Sequence, residues 1–173
     1  DPTSEEDLTR GRLVGVGHYL QQTYTEIERP TYIAPAIGLR QGRHLVTDYV
    51  LTLADLIERR KFDDAVGYTG CHYDNHAVDY EFESDEAMFW VWACQQWRGR
   101  TACEIPYRSM VPAGLDNVWI ACRALGVTLE AHHSLRMQRD FQRVGEVAGY
   151  AAAMAARTTR TARDIPMAQL RAR

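Results

Sequence analysis

The clearest rhythm of apolar and polar positions lies in the second half of the chain. Phe141, Val144, Ala148, Ala151 and Ala155 recur at helical spacing and make one apolar stripe. They predict a long helix that runs to Ala156, with the Ser134 hydroxyl suited to its N-cap. Upstream, Val118-Trp119-Ile120-Ala121-Cys122 is a short apolar run, so residues 118–122 are expected to form a strand, and residues 123–134 a loop. In open α/β folds, ligands bind beyond the carboxyl end of such a strand. The orphan N–H groups of the following helix start attract anionic oxygens there.

The rest of the chain patterns into shorter pieces. Residues 4–24 read as a helix, with Leu8, Leu13, Val16 and Leu20 as a loose apolar stripe. Residues 31–34, between Pro30 and Pro35, read as extended. Residues 43–50 alternate and carry β-branched side chains, which predicts a strand; Thr52 then caps a short helix over 53–59. Residues 64–68 and 102–107 read as two more strands, and 112–114 as a turn. Residues 70–86 are a polar loop, 89–92 fit strand or helix equally, and 97–100 form a turn. A last helix starts at Asp164-Ile165-Pro166, with Pro near its first turn.

Composition narrows the class. The 173 residues suit one domain with a sizeable core, and the net charge of −3 gives no footprint for nucleic acid. No apolar run approaches membrane-spanning length, and no signal-peptide pattern opens the chain. Cys71, Cys94, Cys103 and Cys122 lie far apart with no Cys-x-x-Cys, so buried reduced thiols and a cytoplasmic setting are expected. Lys61 is the only lysine, a compositional habit without chemical meaning.

Three places carry function-capable side chains. Cys71-His72-Tyr73-Asp74-Asn75-His76 brings together metal-competent groups, but loop ligands without fixed spacing are a weak metal signal, and a surface histidine pair fits as well. His76 suits a proton acceptor because an imidazole titrates near neutrality. Arg108 could clamp a carboxylate with its planar fork while Tyr107 donates to a substrate oxygen; the alternative is a core aromatic beside a structural ion pair. Around the long helix start stand Arg136, Arg139 and Arg143, where the helix dipole disfavours cations, so a nearby anion or simple solvation is expected. Gly145 and Gly149 lie on one face of that helix and suggest close approach by a backbone or a ligand.

The run from Asn117 to Ala156 carries Ala121-Cys122-Arg123, Glu130-Ala131, Ser134-Leu135-Arg136-Met137 and Gly145-Glu146-Val147-Ala148-Gly149. It resembles the C-terminal flavin-contacting segment of FAD-dependent oxidoreductases with a glutathione-reductase-like fold. Gly38-Leu39-Arg40, Val50-Leu51-Thr52 and Ile105-Pro106-Tyr107-Arg108-Ser109 are similar to the same family, so the resemblance covers most of the chain. It implies an α+β architecture: a β-rich substrate-side region over residues 1–112, then a returning strand and a long helix of the FAD-binding domain over 113–173.

The resemblance also implies roles. Cys122, Arg123, Ser134, Leu135, Arg136 and Met137 would contact FAD. Asp74, Tyr107 and Arg108 would lie on the side of a small organic substrate, with His76 and His132 as the catalytic histidines. The chain departs from the family at Cys122, usually Gly; at Leu129, often His; at His133, commonly Gly; and at Arg139-Asp140, commonly Pro-Thr. The glycine loop that opens the βαβ unit and holds the FAD pyrophosphate is also missing. Gly15-Val16-Gly17 starts like one, but Leu20 stands where the third glycine belongs. The expectation is therefore the C-terminal portion of a larger flavoenzyme, whose missing N-terminal FAD-binding segment is a partner. The alternatives are a binding or assembly piece that has lost the cofactor, and a metal enzyme using Cys71, His72 and His76.

Overall fold

The computed structural model describes residues 5–24, 26, 29, 31–32, 42–70, 85, 89 and 103–172. Two compact units divide the chain, Asp1–Arg40 and Gln41–Arg173. In the first, helix α1 spans Glu5–Thr23, as the apolar stripe predicts. Gly15 and Gly17 lie within it, so this glycine run is not a phosphate-binding turn. The expected extended piece at 31–34 falls partly outside the described residues.

In the second unit, helix α2 spans Leu53–Ile57. Thr52 caps it: the side chain accepts from the Asp55 N–H, and Asp55 accepts in return from the Thr52 N–H at 2.9 Å. This reciprocal box satisfies two donors that a helix start leaves orphaned. Strand β1, Ala65–Thr69, pairs antiparallel with β2, Cys103–Pro106, with a bulge between Ala65 and Gly67. A 3-10 turn over Tyr107–Met110 follows. Helix α3, Leu129–Leu135, and helix α4, Gln138–Thr158, come next, then a 3-10 turn over Ala162–Asp164 and helix α5, Met167–Arg171.

The core sits between the sheet, α3 and the apolar face of α4. Leu51, Ile105, Met110, Leu125, Leu135, Val144 and Ala151 are sealed from solvent there. Arg171 ties α5 to the sheet edge by donating to the carbonyl oxygens of Ala65 and Asp63. Among the described residues the unit is mixed helix and small antiparallel sheet, in keeping with an α+β class.

Several expectations are corrected. Residues 43–50 are not a strand but a ribbon threaded between two loops. Asp48 N–H donates to Val111 O, Ala113 N–H to Val46 O, Leu45 N–H to Ala124 O, and Leu51 N–H to Gly126 O. Only an isolated bridge, Thr47 to Pro112, resembles sheet pairing. A Cβ on Gly126 would stand 1.7 Å from Thr47 Oγ1, so glycine is what lets the ribbon press this closely. The expected returning strand at 118–122 is likewise absent: Ile120 N–H bonds Met110 O, but among the described residues no strand runs beside it. The substrate-side region is thus not β-rich among its described residues, which contain β1 and β2 alone. Ser134 is not an N-cap. It lies in the last turn of α3, whose cap is Thr128, and the long helix starts after Met137. The expected loop therefore contains a helix. Gly145 and Gly149 meet no approaching atom within 4 Å, so neither marks a close contact among the described residues.

Candidate functional site

Four of the six residues expected to meet a cofactor, Ser134, Leu135, Arg136 and Met137, lie at the corner between α3 and α4. Arg136 is the C-cap of α3, and Met137 is the N-cap of α4 without a side-chain cap hydrogen bond. Both are part-exposed, whereas Ser134 and Leu135 are buried. The corner is fixed from the sheet: the Thr69 hydroxyl lies 2.9 Å from Ser134 O and 3.0 Å from Asp140 Oδ2, and shares its proton between them. Asp140 is buried in the first turn of α4. Burial raises its pKa, and the Thr69 hydroxyl and Arg139 offset only part of that rise.

Cys122 and Arg123 lie in an exposed turn before Leu125; an exposed Cys122 corrects the expectation that the thiols are all buried, whereas Cys103 is buried and burial pushes its thiol up to about 12. His132 is fully buried under the corner, edge-to-face with His44 at 4.7 Å between ring centroids. Its pKa is pushed down to about 4, first by burial, then by His44, His133, Arg136 and Arg123. The charges of Arg123 and Arg136 thus converge on one place. The sequence pattern does not single out His44, which comes to this corner through a contact between distant parts of the chain.

Tyr107 and Arg108 form a second locality. The Tyr107 hydroxyl donates to Ala162 O at 2.8 Å and accepts from the Trp119 indole N–H. Burial pushes its pKa up to about 12, so the phenol stays protonated. Arg108 donates from Nε and Nη2 to the two Asp64 oxygens, at 2.9 and 3.2 Å, and lies over the Tyr49 ring. Burial alone would raise the Asp64 carboxyl, but the Arg108 side chain and N–H outweigh it and hold it below the usual carboxylate range. Tyr107 and Arg108, with Asp48, Asp63, Asp64 and Arg163, line an open cleft of about 330 Å³.

A third feature, not apparent from the sequence pattern, is a cleft of about 480 Å³ lined by Tyr68, Gly70, Arg139, Asp140 and Arg143. It opens beside the end of β1 and the first turn of α4. Asp74, His76, Cys71 and His72 lie outside the described residues. Among the described residues no group of three metal-competent side chains could hold an ion, and no helix is long and apolar enough to cross a membrane.

A protein-family model described as FAD dependent oxidoreductase matches residues 9–173, nearly the whole chain. No curated protein and no solved structure matches it. The match takes in α1, the sheet and the α3–α4 corner alike. The chain belongs to the FAD dependent oxidoreductase family, and FAD is the cofactor that this membership implies.

Proposed function

We propose that this chain serves an oxidoreductase that removes a hydride from a small organic substrate, and that its α3–α4 corner is the flavin-facing part. The family match over residues 9–173 carries the reading. The corner supports it: α4 is 21 residues long and has no side-chain cap at Met137, so its positive end suits an electron-rich partner. When bound, FAD would supply the hydride acceptor.

In this reading Arg136 and Met137 present the corner, while Ser134 and Leu135 hold it from inside. Arg123 and Cys122 approach from the preceding turn. Arg123 and Arg136 would favour negative charge on the reduced cofactor, because proteins tune a flavin through charge near its ring nitrogens. His132, being buried, would position the corner, not touch substrate. His76 would accept the substrate proton, and Asp74 would bind the substrate beside it. Arg108 and Tyr107 would orient a carboxylate or carbonyl, although both already have partners within the protein. The division at 112/113 separates the substrate side from the cofactor side. Without a glycine loop, the chain by itself is expected to hold FAD weakly, so a further FAD-holding segment completes the enzyme.

The test is Arg136→Ala and Arg123→Ala in the complete protein, reading FAD affinity and flavin reduction potential. Both should fall, since the reduced anionic flavin loses nearby positive charge. Folded variants with wild-type affinity and potential would place the flavin elsewhere. A flavin fluorescence titration of the chain by itself checks the weaker claim: submicromolar binding would overturn it.

A further inference from the structure

We propose that the His44–His132 pair is an acid-released latch, which holds the ribbon at residues 42–45 against residues 124–125 at neutral pH and lets go when His132 takes a proton. The inference does not rest on the flavin reading.

Geometry carries it. His132 is fully buried, and neither of its ring nitrogens has a hydrogen-bond partner among the described residues. His44 stands edge-to-face against it. His44 Nδ1 lies 3.2 Å from Leu125 O; a carbonyl only accepts, so Nδ1 carries the hydrogen. His44 Nε2 is then left inside without a partner. The Leu45 N–H to Ala124 O bond, 3.0 Å, sits beside this contact. These two hydrogen bonds and the ring contact are what join residues 44–45 to residues 124–125 and α3.

A cation has no welcome here. The groups that act most strongly on His132 among the described residues are His44 from the ribbon, Arg123 from the turn, and His133 and Arg136 from α3 and its cap. All are bases. An imidazolium at His132 would be buried, would meet no carboxylate among the groups that act most strongly on it, and would feel the charges of Arg123 and Arg136. Burial and these neighbours push its pKa down to about 4. The folded pKa lies below the unfolded value of about 6.5, so the unfolded or opened form binds the proton more readily. The latch is therefore fully closed above about pH 6.5 and is progressively lost as the pH falls toward the folded value. The ribbon is the element to move, because His44 is only half-buried while α3 is anchored through Thr69.

The experiment is hydrogen exchange by mass spectrometry on the whole chain at about pH 7 and about pH 5, with rates corrected for intrinsic pH dependence. Protection of residues 42–47 should drop about tenfold or more at the lower pH, since each pKa unit is a factor of ten in population. Protection of α4 should hold at both. In His132→Leu the ribbon should keep its protection at both pH values. A second variant, His44→Phe, guards against misfolding of the first: it deletes the hydrogen bond to Leu125 O, so ribbon protection should already be low at about pH 7 and fall little further at about pH 5, and full protection at about pH 7 would overturn the latch. Imidazole NMR titration of the unaltered chain gives a third readout. Equal ribbon protection at both pH values overturns the latch. So does a His132 that titrates at or above its ordinary value, or protection that rises on acidification, as it would if the new proton bridged His132 to His44 Nε2.

Discussion

Asp55 and His132 are both polar side chains sealed inside the same unit, and their surroundings treat them in opposite ways. Asp55 accepts from the Thr52 N–H and hydroxyl and from the Tyr49 hydroxyl, each at 2.9 Å, and pairs with Arg60 at 2.8 Å. Among the described residues His132 finds no hydrogen-bond partner for either ring nitrogen. A buried polar group is tolerated when its partners replace the water it lost, and is a liability when they do not. The first region is therefore built to last. The second stays closed only while one proton stays away.

Removing the carboxylate should break the well-satisfied region most severely. Asp55→Ala removes the returning half of the α2 capping box and takes the carboxylate acceptor from the Thr52 N–H and from the Thr52 and Tyr49 hydroxyls. A loss of about 3 kcal/mol is expected, the sum of a helix cap and buried hydrogen bonds to a charged group. Urea unfolding measures it; a loss no larger than a surface substitution would mean that water enters and replaces the carboxylate.

Next in size is the floor beneath the histidine region. Gly126→Ala puts a methyl group into Thr47, whose Cβ and Cγ2 lie 2.8 and 2.9 Å from the added atom. The ribbon must back away or Thr47 must rotate and give up its hydrogen bond to Tyr49 O. Overpacking of this kind costs about 1–3 kcal/mol. Thr47→Ala in the same chain should recover part of that loss, and failure to recover any would show that Gly126 is needed for another reason.

The third prediction reverses the usual sign. His132→Leu replaces an unsatisfied buried imidazole by an apolar group of similar size, so stability at neutral pH should rise by about 1 kcal/mol. Acid unfolding should also shift to lower pH: the folded-state value near 4 lies below the ordinary imidazole value, so stability is fully present above the latter and is lost as the pH falls toward the former. Destabilisation at neutral pH would show that the imidazole has a partner worth keeping.

The same contrast governs what the sequence reveals. The Thr52–Asp55 box is legible because its partners are three residues apart, and the α4 stripe because helical spacing repeats over many turns. The family was legible too, from motifs spread over the chain. Residues 43–50 and 118–122 were misread because alternation records only that one face meets apolar surface. Whether a strand lies alongside depends on residues far away, and here Met110, Val111 and Gly126 offer single carbonyls in place of a ladder. The break between Leu135 and Gln138 was missed because Ser134 has the chemistry of an N-cap. Its carbonyl is instead committed to Thr69, and Thr128 takes the capping role. The His44–His132 contact left no local signal at all.

The smallest effect separates redundancy from necessity on the Asp55 side. Tyr49 links the network to the core: its ring packs edge-to-face on Phe62, and its hydroxyl donates to Asp55 while accepting from Arg60 at 3.0 Å. Burial raises the phenol's pKa, as does the neighbouring carboxylate, with Arg60 opposing them, so the hydroxyl remains a donor at neutral pH. Tyr49→Phe keeps the ring contact and deletes the hydroxyl, with its donation to Asp55 and its acceptance from the half-exposed Arg60, the latter worth little. Asp55 retains the Thr52 N–H, the Thr52 hydroxyl and the direct Arg60 contact, so it is not orphaned. The cost should be the net value of one hydrogen bond, about 1 kcal/mol. The double variant Tyr49→Phe with Asp55→Ala should then cost less than the two single losses added, because the hydroxyl has already lost its acceptor. Strict additivity would mean that Tyr49 and Asp55 stabilise the unit independently, and that the satisfied region is a set of separate contacts and not a network.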